Sequence, residues 1–402
     1  MTLQRQWWQI PSPLPTLILV NLTAHLALSG GRLSGSLFTL RSGAGEVWTG
    51  VFMGLFAVVP LCSSLHVGRW IDRVGAARVL RRGTLLVLAG AWLPVLKLSI
   101  PTLFMMALLL GIGYNLVSMA GLHTAATLGD SGSSRQRLAN YGWLGLGFSS
   151  SATLGPSIAG VLIDRHGFHV ALFCMACCTL VAVALVFTRL GQPLPTLARR
   201  AHAGDPTTIS APTGWFDLMR LPSLRRLLLV AVTVSSSWDL FVVMLPVVGT
   251  RLGFSASIIG SISSAFALGV FFSRALTPWL GARFAEWHTV RASLSGIVIL
   301  FLLLPWAHTP APFIAISFLL GASIGLSQPN ILSLLHAATP DTRTGEALGL
   351  RYFIGNCSSV LMPFAFGLTV GVVGVLPILW SSAAISMAGL VGANRAARQP
   401  EQ

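Results

Sequence analysis

The chain has 402 residues, 54% of them hydrophobic and 9% charged, with a mean hydropathy of +0.76. A soluble protein of this length needs far more surface charge, so composition excludes a water-soluble enzyme or binding module and points to a polytopic membrane protein. The net charge of +15 suits cytoplasmic loops better than nucleic-acid binding, since no basic patch is interleaved with exposed aromatics.

A helix needs about 20 apolar residues to cross a bilayer. Twelve such segments are expected, at roughly 15–39, 47–67, 79–97, 101–128, 138–163, 169–189, 223–248, 255–279, 288–308, 311–336, 345–371 and 375–394, with ends uncertain by about 2–4 residues. The alternation of a β-barrel is absent, so the expected fold is all-α, with twelve transmembrane helices. Met1–Pro15 lacks the pattern of a cleavable signal peptide.

The first span carries a polar stripe, Asn21, His25, Ser29, Arg32 and Ser36, on one helix face. A span with one polar face borders water or a ligand. Arg32 reads as an anion-binding group or one half of a salt bridge, against the plainer reading of an arginine snorkelling to the headgroups. Glu46, at the start of the second span, reads as a solvated terminal acid.

The stretch from Gly68 to Gly83 packs Arg69, Arg73, Arg78, Arg81 and Arg82 between two apolar runs. It reads as a short basic hairpin that fixes the cytoplasmic side, which places both termini there too. Asn115 in the fourth span is a candidate hydrogen-bonding wall residue. In the fifth span, Gly142, Ser151, Gly155, Pro156 and Gly160 suit close helix packing with a bend at the proline. Asp164, closing that span, again reads as solvated.

All five cysteines lie in spans, so no disulfide framework is expected. No His or acid accompanies the Cys174–Cys178 run at helical spacing, so no metal or other cofactor is expected. A polar, Pro-containing stretch at 191–222 reads as a cytoplasmic linker between two domains, 1–190 and 223–402, with six spans each. Asp239 in the seventh span is the only acid well inside any span, and Gln328 and Asn330 in the tenth are further wall candidates. Ionisable groups inside spans generally face a cavity and mark function.

The two halves are related in sequence. Val47–Arg73 lies on Ser257–Arg283 at an offset of 210, which puts Gly50 on Gly260. Leu122 and His123 lie on Leu335 and His336 at 213. Pro156 and Gly160 lie on Pro363 and Gly367 at 207. Two parallel halves of six helices, with a site at their interface, are one repeat architecture of transporters. By the same register Asp239 falls on Ser29, one turn from Arg32. The two charges should therefore sit at similar depth, as a proton switch, an outer-gate pair, or both.

Gly68-x-x-x-Asp72-Arg73-x-Gly75-x-x-Arg78 resembles the loop motif between the second and third helices of the major facilitator superfamily. The fifth-span motif is similar to that of the superfamily's drug/proton antiporter branch. The resemblance implies two pseudo-symmetric six-helix bundles and a gating role for Gly68, Asp72, Arg73, Gly75 and Arg78, with Asp130 as the acid that pairs with the motif. The sequence departs from the pattern at Ala76 and Ala77, where basic residues are usual.

The reading that follows is a secondary active transporter, not an enzyme, of the inner (plasma) membrane. Alternating access would drive proton-coupled export of a drug or metabolite; the alternative is an importer or facilitator of a small organic anion. Its partners would be a small-molecule substrate, protons and the lipid bilayer, with no nucleic acid, and the chain would act as a monomer. Arg32, Asp239, Asn21, His25, Asn115, Gln328 and Asn330 are the candidates for substrate and proton coupling.

Overall fold

The structure, a computed structural model, describes residues 13–128, 134–190, 222–281, 283–339 and 344–397. The described residues are helices joined by short turns. In the first half they are α1 (Leu14–Arg41), α2 (Gly45–Val74), α3 (Ala76–Leu96) and α4 (Ile100–Thr127), followed by a run over Ser134–Thr188. Gly167, at φ 81°, breaks that run into α5 (134–166) and α6 (168–188). The second half holds α7 (Pro222–Arg251), α8 (Ala256–Gly281), α9 (Glu286–Leu303), α10 (Pro310–Ala337), α11 (Thr344–Val373) and α12 (Val375–Ala397).

Eleven helices among the described residues are long and apolar enough to cross a membrane. One of these, over Ala139–Thr188, has 50 residues. That length is more than twice what a single crossing needs, and the break at Gly167 turns it into two. The described residues thus make the twelve crossings expected from the sequence, arranged as two six-helix bundles. Bulky apolar side chains such as Leu229, Ile299, Leu361 and Leu368 remain exposed, as a lipid-facing surface requires.

Two local boundaries depart from expectation. The Gly68–Gly83 stretch is not a hairpin loop: α2 continues through it to Val74, and α3 begins at Ala76. Gly75 alone makes the turn, at φ 88°, a region that favours glycine, and its N–H closes α2 on the Ile71 carbonyl at 2.8 Å. The arginines therefore ride on two helix ends. The ninth span stops early, at Leu303, because Pro305 tightens the chain into a 3-10 turn over Leu304–Trp306. At the start of α4, Ser99 and Thr102 form a reciprocal capping box that satisfies free N–H groups of the helix start.

The bundles meet chiefly through two crossings, α2 with α11 and α5 with α8, and more lightly where α7 passes α1 and α2. Both main crossings are packed backbone to backbone. A Cβ on Gly50 would collide with the Pro363 carbonyl and the Gly367 backbone; one on Gly260 would collide with the Pro156 carbonyl. Gly160 abuts Ala256 and Ser257, as Gly367 abuts Glu46 and Val47. The residues that align in the internal repeat are thus the ones that meet across the pseudo-twofold axis.

Candidate transport site and its outer seal

All these inter-bundle contacts lie toward the ends of the helices that carry Glu46, Asp164 and Arg251, which we call the outer end. Glu46 is not merely solvated. Arg251 Nη2 and Nε both donate to its Oε1, at 2.7 and 3.1 Å. Nor is Asp164: its carboxylate accepts the Ala256 and Ser257 N–H groups at 3.0 and 2.7 Å, capping α8 from the opposite bundle. That placement sets an anion at a helix N-terminus, where the exposed N–H groups need acceptors. Ser157 and Ser264 share a hydrogen bond at 2.7 Å, and Ser264 also donates to the Thr153 carbonyl. Among the described residues every glycine contact between the bundles lies at this end. The structure is therefore sealed at the outer end.

The Glu46–Arg251 pair is partly exposed, and such pairs contribute about 0–1 kcal/mol. Glu46→Gln should therefore shift the balance of outer-closed and outer-open forms by no more than about fivefold. The distance between spin labels at Ser42 and Val372, with the native cysteines replaced, measures this. A larger shift would make the ion pair, rather than the glycine crossings, the main bolt.

Below the seal lie the interior polar groups. Asp239 of α7 is held by α11. Ser358 Oγ donates to Oδ2 at 2.8 Å, and Ser359 Oγ lies 3.0 and 3.1 Å from Oδ1 and Oδ2. Arg32 of α1 stacks on the Phe56 ring at 4.8 Å, and its buried Nε has no hydrogen-bond partner. No contact ion pair joins Arg32 and Asp239. The expected pair is thus a separated one, because the serines have taken the carboxylate oxygens and Phe56 has taken the guanidinium face.

His25 is buried between Tyr114 and Phe148, with ring centroids at 4.9 and 4.3 Å. Its Nδ1 lies 2.8 Å from Ser151 Oγ. Ser151 sits 2.8 Å from the Phe148 carbonyl, which takes its proton. Its oxygen must then accept, so Nδ1 carries the proton and Nε2 is left as the acceptor.

The rest of the first-span stripe is less uniform than a shared cavity face. Asn21 donates to the Leu17 carbonyl of its own helix at 3.0 Å and packs on Gly121. Ser29 donates to the Ser151 carbonyl at 3.1 Å, and Ser36, fully buried, bonds its own helix. The stripe is helical in period, but α5 and α4 cover much of it.

Asn115 has a buried Nδ2 without a partner. Gln328 Oε1 accepts from Arg351 Nη2 at 2.5 Å, tying α10 to α11. Asn330 donates to Leu326 of its own helix and lines a cavity of about 430 Å³ between α8, α9 and α10, with Arg283, Glu286 and Ser333. It does not join Arg32 and Asp239.

In the fifth-helix set, Gly155 abuts Ser29 and Gly30, Pro156 abuts Gly260, and Gly160 abuts Ala256. Gly142 is the exception: it is exposed, and a Cβ there would meet nothing within 4 Å, so it does no close packing. Of the loop motif, Gly75 makes the turn, Gly68 has open space around it, and Arg73 and Arg78 are exposed. The Asp72 side chain and Asp130 lie outside the described residues.

A sequence model of the Major Facilitator Superfamily matches residues 17–363, with a second match over 227–398. The chain belongs to the major facilitator superfamily. It is accordingly a transporter of small molecules rather than an enzyme. It is 25% identical over 327 residues to the class D tetracycline resistance protein of Salmonella ordonez, covering 79% of this chain and 78% of that one. It is 25% identical over 325 residues to multidrug resistance protein 1 of Bacillus subtilis, covering 79% of each. In fold it resembles the crystal structure of a peptide transporter POT in complex with sulfate, with a TM-score of 0.77 at 15% identity, over 98% of this chain and 95% of that one.

Three residues at the centre of this superfamily member, Ser358, Ser359 and Phe56, are not evident from sequence reasoning. The repeat holds a signal for the first: the offset of 207 that lays Pro156 on Pro363 also lays Ser151 on Ser358. For Phe56 there is none, because a phenylalanine in an apolar helix is indistinguishable from lipid-facing or core residues.

Proposed function

We propose that this transporter exports a small molecule, a drug or metabolite, against inward movement of protons, with Asp239 as the proton carrier. The observation that carries the reading is a carboxylate inside the membrane that is hydrogen-bonded by hydroxyls but not neutralised by a contact cation. Such a group is costly to keep ionised and gains from binding a proton. The resistance proteins it resembles support the direction of transport. Residues 1–190 and 223–402 form the two rocking halves, and 191–222 is a cytoplasmic linker, of which 191–221 lie outside the described residues. The excess of Lys and Arg at the linker end makes that side cytoplasmic, with both termini there, in an inner or plasma membrane. The protein works as a monomer. The structure is then the inward-open form, and the Gly68–Arg78 motif latches the cytoplasmic end only when the outer seal opens. The test is tetracycline and dye flux in proteoliposomes after a pH jump; flux indifferent to the proton gradient would overturn the reading.

A second reading has its own observation. The buried Nε of Arg32 has no hydrogen-bond partner, and a guanidinium inside a span with an unused donor is a ready anion site. A small organic anion would satisfy it, whether imported or exported. Arg32→Lys keeps the charge but loses the planar fork, and should weaken a carboxylate substrate about tenfold. Competition by short carboxylates in the flux assay measures it. Equal inhibition of wild type and variant would remove the anion reading.

A further inference from the structure

His25 of α1 takes part in neither reading above. Its ring lies between Tyr114 of α4 and Phe148 of α5, and Ser151 of α5 holds Nδ1 at 2.8 Å. Ser151 gives its own proton to the Phe148 carbonyl. A neutral imidazole so held donates from Nδ1 and presents Nε2 as an acceptor. Nε2 has no hydrogen-bond partner among the described residues, and the 6% of the residue left exposed includes that edge. A histidine that only filled the core would have both nitrogens bonded.

That edge is turned to the middle of the molecule. His25 and Arg32 are seven residues, two turns, apart and share a face of α1. On the opposite side Gly30 packs on Met175 of α6, and α6 shows Leu180, Val181 and Phe187 to the lipid. The internal repeat agrees. The offset of 207 lays Ser151 on Ser358. Ser151 holds His25 of α1 as Ser358 holds Asp239 of α7, so each half presents one serine-held group.

We propose that His25 Nε2 recognises cargo: it accepts a hydrogen bond from a hydroxyl or N–H of a planar aromatic anion whose charged end lies on Arg32. The proposal rests on the second reading above, in which Arg32 takes an anion. Arg32 keeps an unpartnered, buried Nε and stacks on Phe56. One end of the face thus offers a cationic donor and the other a neutral acceptor. The two residues are about 10 Å apart along the helix axis. A hydrogen bond of about 3 Å at each end leaves about 4 Å between, room for one six-membered ring with its substituents para to each other. Tyr114 and Phe148 lie against one end of this path and Phe56 against the other, which suits a flat aromatic. A cargo without the donor would leave Nε2 covered and unpaired, and that is the source of selectivity. Hydroxybenzoates and aminobenzoates are the smallest members of the class.

The test is isothermal titration of purified full-length protein with 4-hydroxybenzoate, 4-methoxybenzoate, benzoate and 4-hydroxybenzamide. Wild type should bind 4-hydroxybenzoate about tenfold more tightly than the methoxy compound or benzoate. His25→Asn keeps an N–H near the place of Nδ1 for Ser151 and removes the acceptor. It should bind all three benzoates alike, with the methoxy affinity of wild type; a merely structural histidine would weaken all three. His25→Gln puts a carbonyl oxygen near the place of Nε2 and should restore part of the preference. If His25→Asn does not fold, Ser151→Ala frees the ring to donate from Nε2 and should shrink the preference. Equal affinity of wild type for the hydroxy and methoxy compounds, or a preference kept in His25→Asn, would overturn this inference alone. No binding of 4-hydroxybenzoate to wild type would overturn the cargo class. The benzamide binding wild type as tightly as the benzoate would instead overturn the anion reading of Arg32 on which the charged end stands.

Discussion

Asp239→Asn should abolish proton-driven transport while leaving a folded protein that still binds substrate. The amide keeps the shape of the carboxylate and can still accept from Ser358 or Ser359 through its oxygen, so α7 and α11 should stay docked. What it cannot do is gain or lose a proton. One proton carried down a gradient of one pH unit is worth about 1.36 kcal/mol, or tenfold in accumulation. The variant should therefore lose about tenfold in accumulation per unit of imposed ΔpH, and its flux should depend on the substrate gradient alone. Counterflow exchange in proteoliposomes separates the cases. Intact exchange with lost ΔpH response is the expected result, and an unchanged ΔpH response would refute a proton-carrying Asp239.

The second large effect belongs to the seal. Gly50→Val places a branched side chain where the Pro363 carbonyl and the Gly367 backbone already stand. Neither neighbour is a flexible side-chain end, so α2 and α11 must separate. Overpacking of this kind costs about 1–3 kcal/mol. A cost of about 2 kcal/mol charged only to the sealed form changes its population about 30-fold relative to the open one. The Ser42–Val372 label distance should then be long at every pH, and net transport should fall by a similar factor. Gly260→Val, its repeat partner against Pro156, should do the same from the other crossing. Gly142→Val, on a glycine of the fifth-helix motif with open space around it, should leave both readouts unchanged. If all three behave alike, the seal is not made of these crossings.

Hydropathy and a single acid in apolar sequence are enough to place the twelve crossings, the two halves and Asp239. The internal repeat carries more than topology, since Gly50 and Gly260, Pro156 and Pro363, and Gly160 and Gly367 are the contact residues of the bundle interface. Where sequence and structure part, the reasons are physical. The Gly68–Gly83 stretch reads as a loop because charge density and helix ends coincide there, yet one glycine with positive φ suffices for the turn. Glu46 and Asp164 read as solvated because both end a span, and a sequence does not say what the other bundle places opposite. Arg32 and Asp239, which their repeat positions put at similar depth, make no contact pair. Their nearest partners, Phe56, Ser358 and Ser359, depend on which helix faces cross in space, which hydropathy does not record.

At the heart of the two crossings, glycines on one side meet main chain on the other, with Gly50 and Gly260 each against a carbonyl. Among the described residues the glycines of that surface meet main chain, not Arg32, Asn115 or Asp239. Substitutions around Arg32, Asn115 or Asp239 can alter what is carried without redesigning how the outer door shuts, and the door offers natural variation few tolerated changes. Among descendants of such a chain, cargo should drift freely while the hinge line stays fixed.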